Sequence, residues 1–168
     1  MSNYAQDHIV AWLSDPSIVA AIRKQNLRNS GLSQDDIDQL DLTWRQQVGL
    51  QDRPVIEPVL SNPAADALRS RIAASQGVVT EAFVMDNHGL NVAASDVTSD
   101  YWQGDEAKFT ETFGRGASDL HIGDIELDES TQTYQGQISV AITDPETGAH
   151  IGPLTVGLNA ETLFQICG

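Results

Sequence analysis

The stretch "TYQGQISVAITDPETGAHIGPLTVGLN", Thr133 to Asn159, decides the fold. Two runs, "TYQGQISVAIT" and "HIGPLTVGLN", carry strand-forming residues, and "DPETG" between them places Pro145 and Gly148 where a tight turn wants them. A connection that short can join only antiparallel strands, because a parallel crossover needs a dozen residues or more. Upstream, "VVTEAFVMD" and "LNVAAS" flank Asn87-His88-Gly89, which predicts a second hairpin. "SDLHIGDIELD" predicts a fifth strand, joined to the first run by a turn at Glu129-Ser130-Thr131. "DYWQGDEAKFTETF" predicts a short helix closed by Gly114 and Gly116, and "AETLFQIC" a terminal helix capped by Asn159.

The first 76 residues read as helical. Asp15 caps a helix that begins at Pro16 and presents Ile18, Val19 and Ile22 on one side. "HIVAWL" before it is either a separate helix or the near half of one kinked at Pro16. Ser33, with Asp36 three residues on, opens another, whose apolar positions Ile37, Leu40, Trp44 and Val48 recur at helical spacing and mark Trp44 as core. A further helix starts after Asn62-Pro63 and ends at Gln76-Gly77. The expected architecture is one α+β domain over 1–168, with a helical region (1–76) and a sheet region (77–168). Its sheet is five-stranded and antiparallel, with helices over one face.

The chain has 24 acidic and 9 basic residues, a formal charge of −15. Neutralising phosphates takes clustered Lys and Arg, so nucleic acid is not an expected partner. An anionic membrane surface is disfavoured for the same reason. Cys167 stands alone and cannot make an internal disulfide. No run approaches the roughly 20 apolar residues that span a bilayer, and "MSNYAQDHIVAWL" lacks the basic start of an export signal.

Catalytic and metal patterns are missing from the sequence. His8, His88, His121 and His150 have no metal-ligand spacing, and no nucleophile elbow, P-loop or dinucleotide fingerprint occurs. No cofactor or metal is expected. Asp124, Glu126 and Asp128 alternate and would share one face of a strand. They read as the solvated side of an edge strand in preference to a hard-cation site. Tyr101 and Trp102 cannot both face inward from a helix, since neighbours point about 100° apart. One is an anchor in the core. The other is left to line a cleft between helix and sheet, where aromatic rings beside carboxylates suit an amine-bearing guest.

The block from Val79 to Leu158 resembles the extracellular Cache, or PDC, sensor domains, which have a PAS-like sheet. The resemblance is carried by "VTEAFVMDNHGLNVAAS", "SDYWQGDEAKF", "HIGDIELDEST" and "YQGQISVAITDPETGAHIGPLTVGLN" in that order. It implies a non-enzymatic domain outside the cytoplasm that binds a small amine, amino acid or organic acid over its sheet. By position, Tyr101, Trp102, Gln103 and Asp105 would line the pocket, His121 and Gly123 its floor, and Thr143 or Asp144 its rim. Amino-acid-binding members carry an arginine near the aromatic pair and an aspartate ending the last strand. This segment has no such arginine, and Asn159 stands at the strand end, which leaves Lys108 or Arg115 to hold a carboxylate. The resemblance further implies a homodimer through the N-terminal helices and a membrane-bound transmitter as partner, the chain being either a region of a larger receptor or a free-standing binding protein. Two other readings stay open: an interaction module with a filled pocket, and a small enzyme working through paired carboxylates.

Overall fold

The structure, a computed structural model, describes residues 2–113, 120–128 and 132–167. Its centre is the hairpin of β5 (Thr133–Thr143) and β6 (His150–Asn159), paired from Gln135↔Asn159 to Thr143↔His150. The turn closes as expected: the Gly148 amide donates to the Asp144 carbonyl at 2.8 Å, and Gly148 takes φ 72°. On the other side of β6 lies β1 (Val79–Met85), then β2 (Asn91–Ala94). The β1–β2 turn places Gly89 at φ 89°, and a Cβ there would come within 2.5 Å of the Gly104 backbone. Glycine is needed at that point on both counts.

The outer strand departs from the sequence reading. Residues 120–128 form not one strand but two short ones, β3 (Leu120–Ile122) and β4 (Glu126–Asp128), both paired to the free edge of β5. Ile122 faces Ile138 while Glu126 faces Gln135, so the outer chain has one residue more than β5 over this interval. The extra residue bulges at Gly123–Ile125 and breaks the alternation that would have put Asp124 in line with Glu126. The sheet order is β2-β1-β6-β5-β3 with β4 beside β5: five strand positions, six strands, all antiparallel. The turn proposed at 129–131 and the helix stop at Gly114 and Gly116 lie outside the described residues.

The N-terminal helices follow their caps. The chain enters through α1 (Ser2–Tyr4), a π-turn segment (Ala5–Ile9) and a 3-10 turn (Val10–Trp12). The Asp15 carboxylate then accepts the Ser17 amide at 3.0 Å and starts α2 (Pro16–Arg28). Ser33 and Asp36 form a reciprocal capping box at α3 (Gln34–Gln47). Asn62 accepts from Ala65 and opens α5 (Pro63–Ala74). A one-turn helix, α4 (Glu57–Leu60), occupies the Pro-rich connection, where the sequence reading had none. The chain closes through α6 (Ala107–Thr110) and α7 (Ala160–Cys167), with Asn159 accepting from the Thr162 amide at 3.0 Å.

Helices cover both faces of the sheet, not one. Ala82, Val84, Ile138, Leu154, Val156 and Leu158 point one way and are buried against Ile18 and Ile22 of α2 and Leu68 of α5. Phe83 and Met85, their neighbours along β1, point the other way into a second cluster with Ile37 and Trp44 of α3 and Ile56 and Val59 at α4. The alternation of β1 thus feeds two cores. The second core covers only the β1–β2 end of its face. The β5–β3 end of that face is left to α6.

Candidate functional site

The exposed part of that second face is polar in a regular way. In the register Phe83↔Thr155↔Ser139↔His121, three polar side chains follow the aromatic one across the sheet. The next row runs Glu81↔Gly157↔Gln137, and the Gly123 amide donates to the Gln137 carbonyl at 2.8 Å. Ser139 and Thr155 are fully buried and satisfy each other at 2.8 Å. The Gln137 amide donates to Glu81 at 3.1 Å. Glycines at 123 and 157 keep the floor low.

The roof is the segment that carries α6. Lys108 pairs with Glu106 at 2.8 Å, and its ammonium lies 5.4 Å from the centre of the Phe83 ring. Between roof and floor lie two adjoining hollows of about 470 and 300 Å³. They share Glu106, Lys108, Gly123, Asp124, Glu126 and Gln137, so they form one cleft opening at the broken edge strand. Glu81, Glu106, Asp124 and Glu126 against Lys108 alone are four carboxylates and one ammonium, a local charge of −3. The floor supplies the Gln137 amide together with His121, and the Ser139–Thr155 pair lies buried beneath it. Such a lining attracts a cation and can hold an ammonium by several charge-assisted hydrogen bonds. Among the described residues, no group of three or more His, Cys, Asp or Glu has metal-holding geometry.

Of the residues expected at the pocket, His121 and Gly123 line this cleft. The aromatic segment does not close over it. Only Ala107–Thr110 is helical, and Tyr101 to Gly104 form an irregular strap instead of the expected helix. The reason is tertiary: the strap's backbone is already engaged. Trp102 makes a β-bridge to Leu90, the Asn91 amide donates to the Tyr101 carbonyl at 3.0 Å, and the Gln103 amide donates to Gly89 at 2.8 Å. The Asp41 carboxylate of α3 accepts the amides of both Tyr101 (2.9 Å) and Trp102 (3.0 Å).

Tyr101 is buried and stacks on Trp44, centroids 4.9 Å apart and planes 9° from parallel. Trp102 is half-buried, its indole N–H donating to the His88 carbonyl at 2.8 Å. It borders a separate groove with Asp41, Arg45, Asp100 and Asp105. Gln103 is buried and donates to the Asp100 carbonyl. Thr143 ends β5, and Asp144 follows it at the hairpin turn, where it is bound by Arg23 of α2 through Nε (2.8 Å) and an Nη. The structure therefore gathers two of the eight expected residues at the sheet cleft.

Glu81, Glu106 and Gln137 were not singled out from sequence, and Glu126 was read with Asp124 and Asp128 as the solvated side of an edge strand, not as pocket lining. A signal existed for two of them. Glu81 and Gln137 are polar residues on strands whose other face is apolar, and the antiparallel pairing aligns them across β6.

No protein-family model matches the chain, and no curated protein matches it in sequence. Solved structures do match in fold. The extracellular domain vpHK1S-Z8, ascribed to a histidine kinase, aligns with 98% of this chain and 54% of its own at TM-score 0.51 and 12% identity. The ligand-binding domain of the Campylobacter jejuni chemoreceptor Tlp3, in complex with L-valine, aligns with 89% of this chain and 66% of its own, at TM-score 0.46 and 15% identity. The sensor domain of the V. cholerae histidine kinase DctB aligns with 97% and 57%, at TM-score 0.44 and 14% identity. The chain thus has the α+β architecture of PAS-like sensor domains, as the Cache resemblance implied. It spans between half and two thirds of the length of these domains.

Proposed function

We propose that this chain is an extracytoplasmic sensing domain, without enzymatic activity, that takes a small amine-bearing molecule into the cleft between α6 and the sheet. The chain would act as a single unit and report occupancy to a membrane-bound transmitter. The observation that carries this reading is the carboxylate lining of the cleft, with Gln137 as a neutral hydrogen-bonding group on its floor. The sensor-domain architecture supports it. No described helix is long and apolar enough to cross a membrane. Ligand would favour the state in which α6 and the Gly123–Glu126 bulge lie against it, a shift of population between states of unequal affinity.

Calorimetric titration with a panel of primary amines, amino acids and organic acids tests the reading. An amine should bind, and at about 100 times its Kd should add about 2.7 kcal/mol to unfolding stability. Glu81→Gln and Glu126→Gln should each weaken it about tenfold, and added salt should weaken it further. A panel in which only acids bind, or an amine indifferent to both substitutions, refutes this assignment.

A further inference from the structure

We propose a second ligand site, of opposite charge preference, in the pocket between α2 and α4: it takes a short-chain monocarboxylate. The inference is independent of the sheet cleft, from which this pocket is separate in lining and in place.

Three observations converge on it. The first is the distribution of positive charge. Among the described residues Arg23, Arg45, Arg53, Arg69, Arg71 and Lys108 each pair with a carboxylate. Lys24 and Arg28 are the described bases without one, although acids outnumber bases 24 to 9. Both border this one pocket, a turn apart on α2. Arg53 and Glu57, close by in sequence on the α4 side, neutralise each other at 3.2 Å. The buried Asp86 carboxylate behind the pocket is taken up by four donors.

The second is an unpartnered hydroxyl. Tyr101 is 6% exposed, lines the pocket, and its phenol makes no hydrogen bond to any described residue. Burial pushes the phenol up from its ordinary value of 10.0; the Arg28 charge only partly opposes that and the Asp86 charge adds to it, so the group stays a neutral donor. The other polar liners are occupied. Asn62 caps α5 and donates to the Pro58, Val59 and Val92 carbonyls, and Gln25 is shared between Asp86, Asn91 and Arg28. The donors left open are the Lys24 ammonium, the remaining Arg28 N–H groups and the Tyr101 hydroxyl, all suited to one carboxylate.

The third is the apolar wall. Val55, Val59 and Val92 complete a pocket of about 310 Å³. That is the lower end of the usual range for small-molecule sites, ~300–1,000 Å³. An inorganic anion would leave this wall wet, whereas a short alkyl tail would cover it.

Titration calorimetry of the whole chain with sodium hexanoate tests the assignment, with acetate, sulfate, hexylamine and hexanamide as comparisons. Hexanoate should bind one to one, and acetate at least about tenfold more weakly, since each buried methylene is worth ~0.8 kcal/mol. Arg28→Gln and Lys24→Gln, both at exposed positions on α2, should each weaken hexanoate about fivefold or more. Tyr101→Phe keeps the ring stacked on Trp44 and removes only the hydroxyl; it should weaken hexanoate about threefold to tenfold without lowering the melting temperature. Glu126→Gln, in the sheet cleft, should leave hexanoate binding unchanged.

Sulfate binding as well as hexanoate, or hexylamine displacing hexanoate, would overturn the proposal, as would hexanoate binding indifferent to Arg28→Gln. No heat at about 20 mM hexanoate would overturn it too. A titration lost on Glu126→Gln and kept on Arg28→Gln would assign the acid to the sheet cleft instead. Failure of the amine reading leaves these outcomes untouched, because each is read on hexanoate, and hexylamine held in the sheet cleft would not displace it.

Discussion

Removing the Asp86 carboxylate should cost more stability than removing any exposed acid of this chain. Asp86 is fully buried at the end of β1. One oxygen accepts the amides of His88 (2.8 Å) and Leu90 (3.0 Å), which shapes the β1–β2 turn. The other accepts the side-chain amides of Gln25 (3.0 Å) and Asn29 (3.1 Å), which ties the turn to α2. In Asp86→Ala four donors lose their acceptor, but not all are stranded. Gln25 keeps the Asn91 carbonyl at 3.1 Å, and the His88 position is half-buried, within reach of water. The Leu90 amide and the Asn29 amide are left buried and unpaired. At ~1–3 kcal/mol for each orphaned donor, the loss is about 2–6 kcal/mol, centred near 4.

For a chain of this length 1 kcal/mol moves the melting temperature by roughly 2–4 °C, so the variant should melt about 8–16 °C lower. Urea unfolding followed by tryptophan fluorescence, with calorimetry beside it, measures both numbers. Asp86→Asn keeps the shape but turns an N–H₂ toward one pair of donors, and should fall between wild type and Asp86→Ala. The Asn29→Ala and Asp86→Ala double variant should lose less than the sum of the singles by at least about 0.5 kcal/mol, since the two groups satisfy each other. A loss below about 1 kcal/mol in Asp86→Ala, or strict additivity, would refute the view of this carboxylate as the acceptor joining turn and helix.

Other outcomes follow from the same contacts. Gly152→Ala should destabilise by about 3 kcal/mol or more, because a Cβ there would lie 1.9 Å from the Met85 carbonyl oxygen and 3.0 Å from its carbon; a melting temperature equal to wild type would show that β1 and β6 are not so closely apposed. Asp41→Ala should cost about 2 kcal/mol and shift the tryptophan emission, since it strands the Tyr101 and Trp102 amides beside the Trp44 stack. The hydrogen bonds from Arg23, helped by its charge and by the Glu146 and Thr147 amides, hold the Asp144 carboxyl down at about 2, against an ordinary 3.8. A carboxyl depressed in this way contributes fully above its ordinary value, and that contribution fades as pH falls through about 2. The stability gap between wild type and Arg23→Gln should therefore be flat from neutral pH to about 4 and close below that; a gap closing at pH 5 to 6 would point to another group.

The parts of this fold legible in sequence are those set by neighbours along the chain. Asp15, Ser33, Asn62 and Asn159 cap helices because each accepts an amide two or three residues away. The β5–β6 hairpin follows from a six-residue connection between two strand-like runs. The Tyr101–Gly104 strap was not legible, because its conformation answers to Asp41, sixty residues earlier, and to the start of β2. A local pattern of aromatics and acids reads as a helix when those partners are out of view. The outer strand misled for a related reason: alternation in "HIGDIELD" is real, but one extra residue against β5 is visible only once Ile138 and Gln135 fix the register. The cleft suffered most, since its carboxylates come from β1, the roof and the broken edge, and no single stretch contains more than two neighbours of the set.

These placements also divide the sheet into a fixed end and a yielding one. Polar side chains of α2 clamp the turns: Gln25 and Asn29 hold Asp86, Asn26 bridges the Ile151 carbonyl and the Asn87 amide at 2.8 Å each, and Arg23 holds Asp144. At the opposite end β3 and β4 have three residues each, pair on one side only, and leave Ile122 and Leu127 about half exposed. Few buried contacts and solvent-facing hydrogen bonds mean local opening at a fraction of the global cost. Amide hydrogen exchange should accordingly find β1 and β6 protected near the global limit and residues 120–128 at least about a hundredfold less. An amine in the cleft should slow exchange at 120–128 selectively, because Gly123, Asp124 and Glu126 form that wall. Equal protection along all strands, or slowing confined to α2, would mean that the broken edge is not where occupancy is felt.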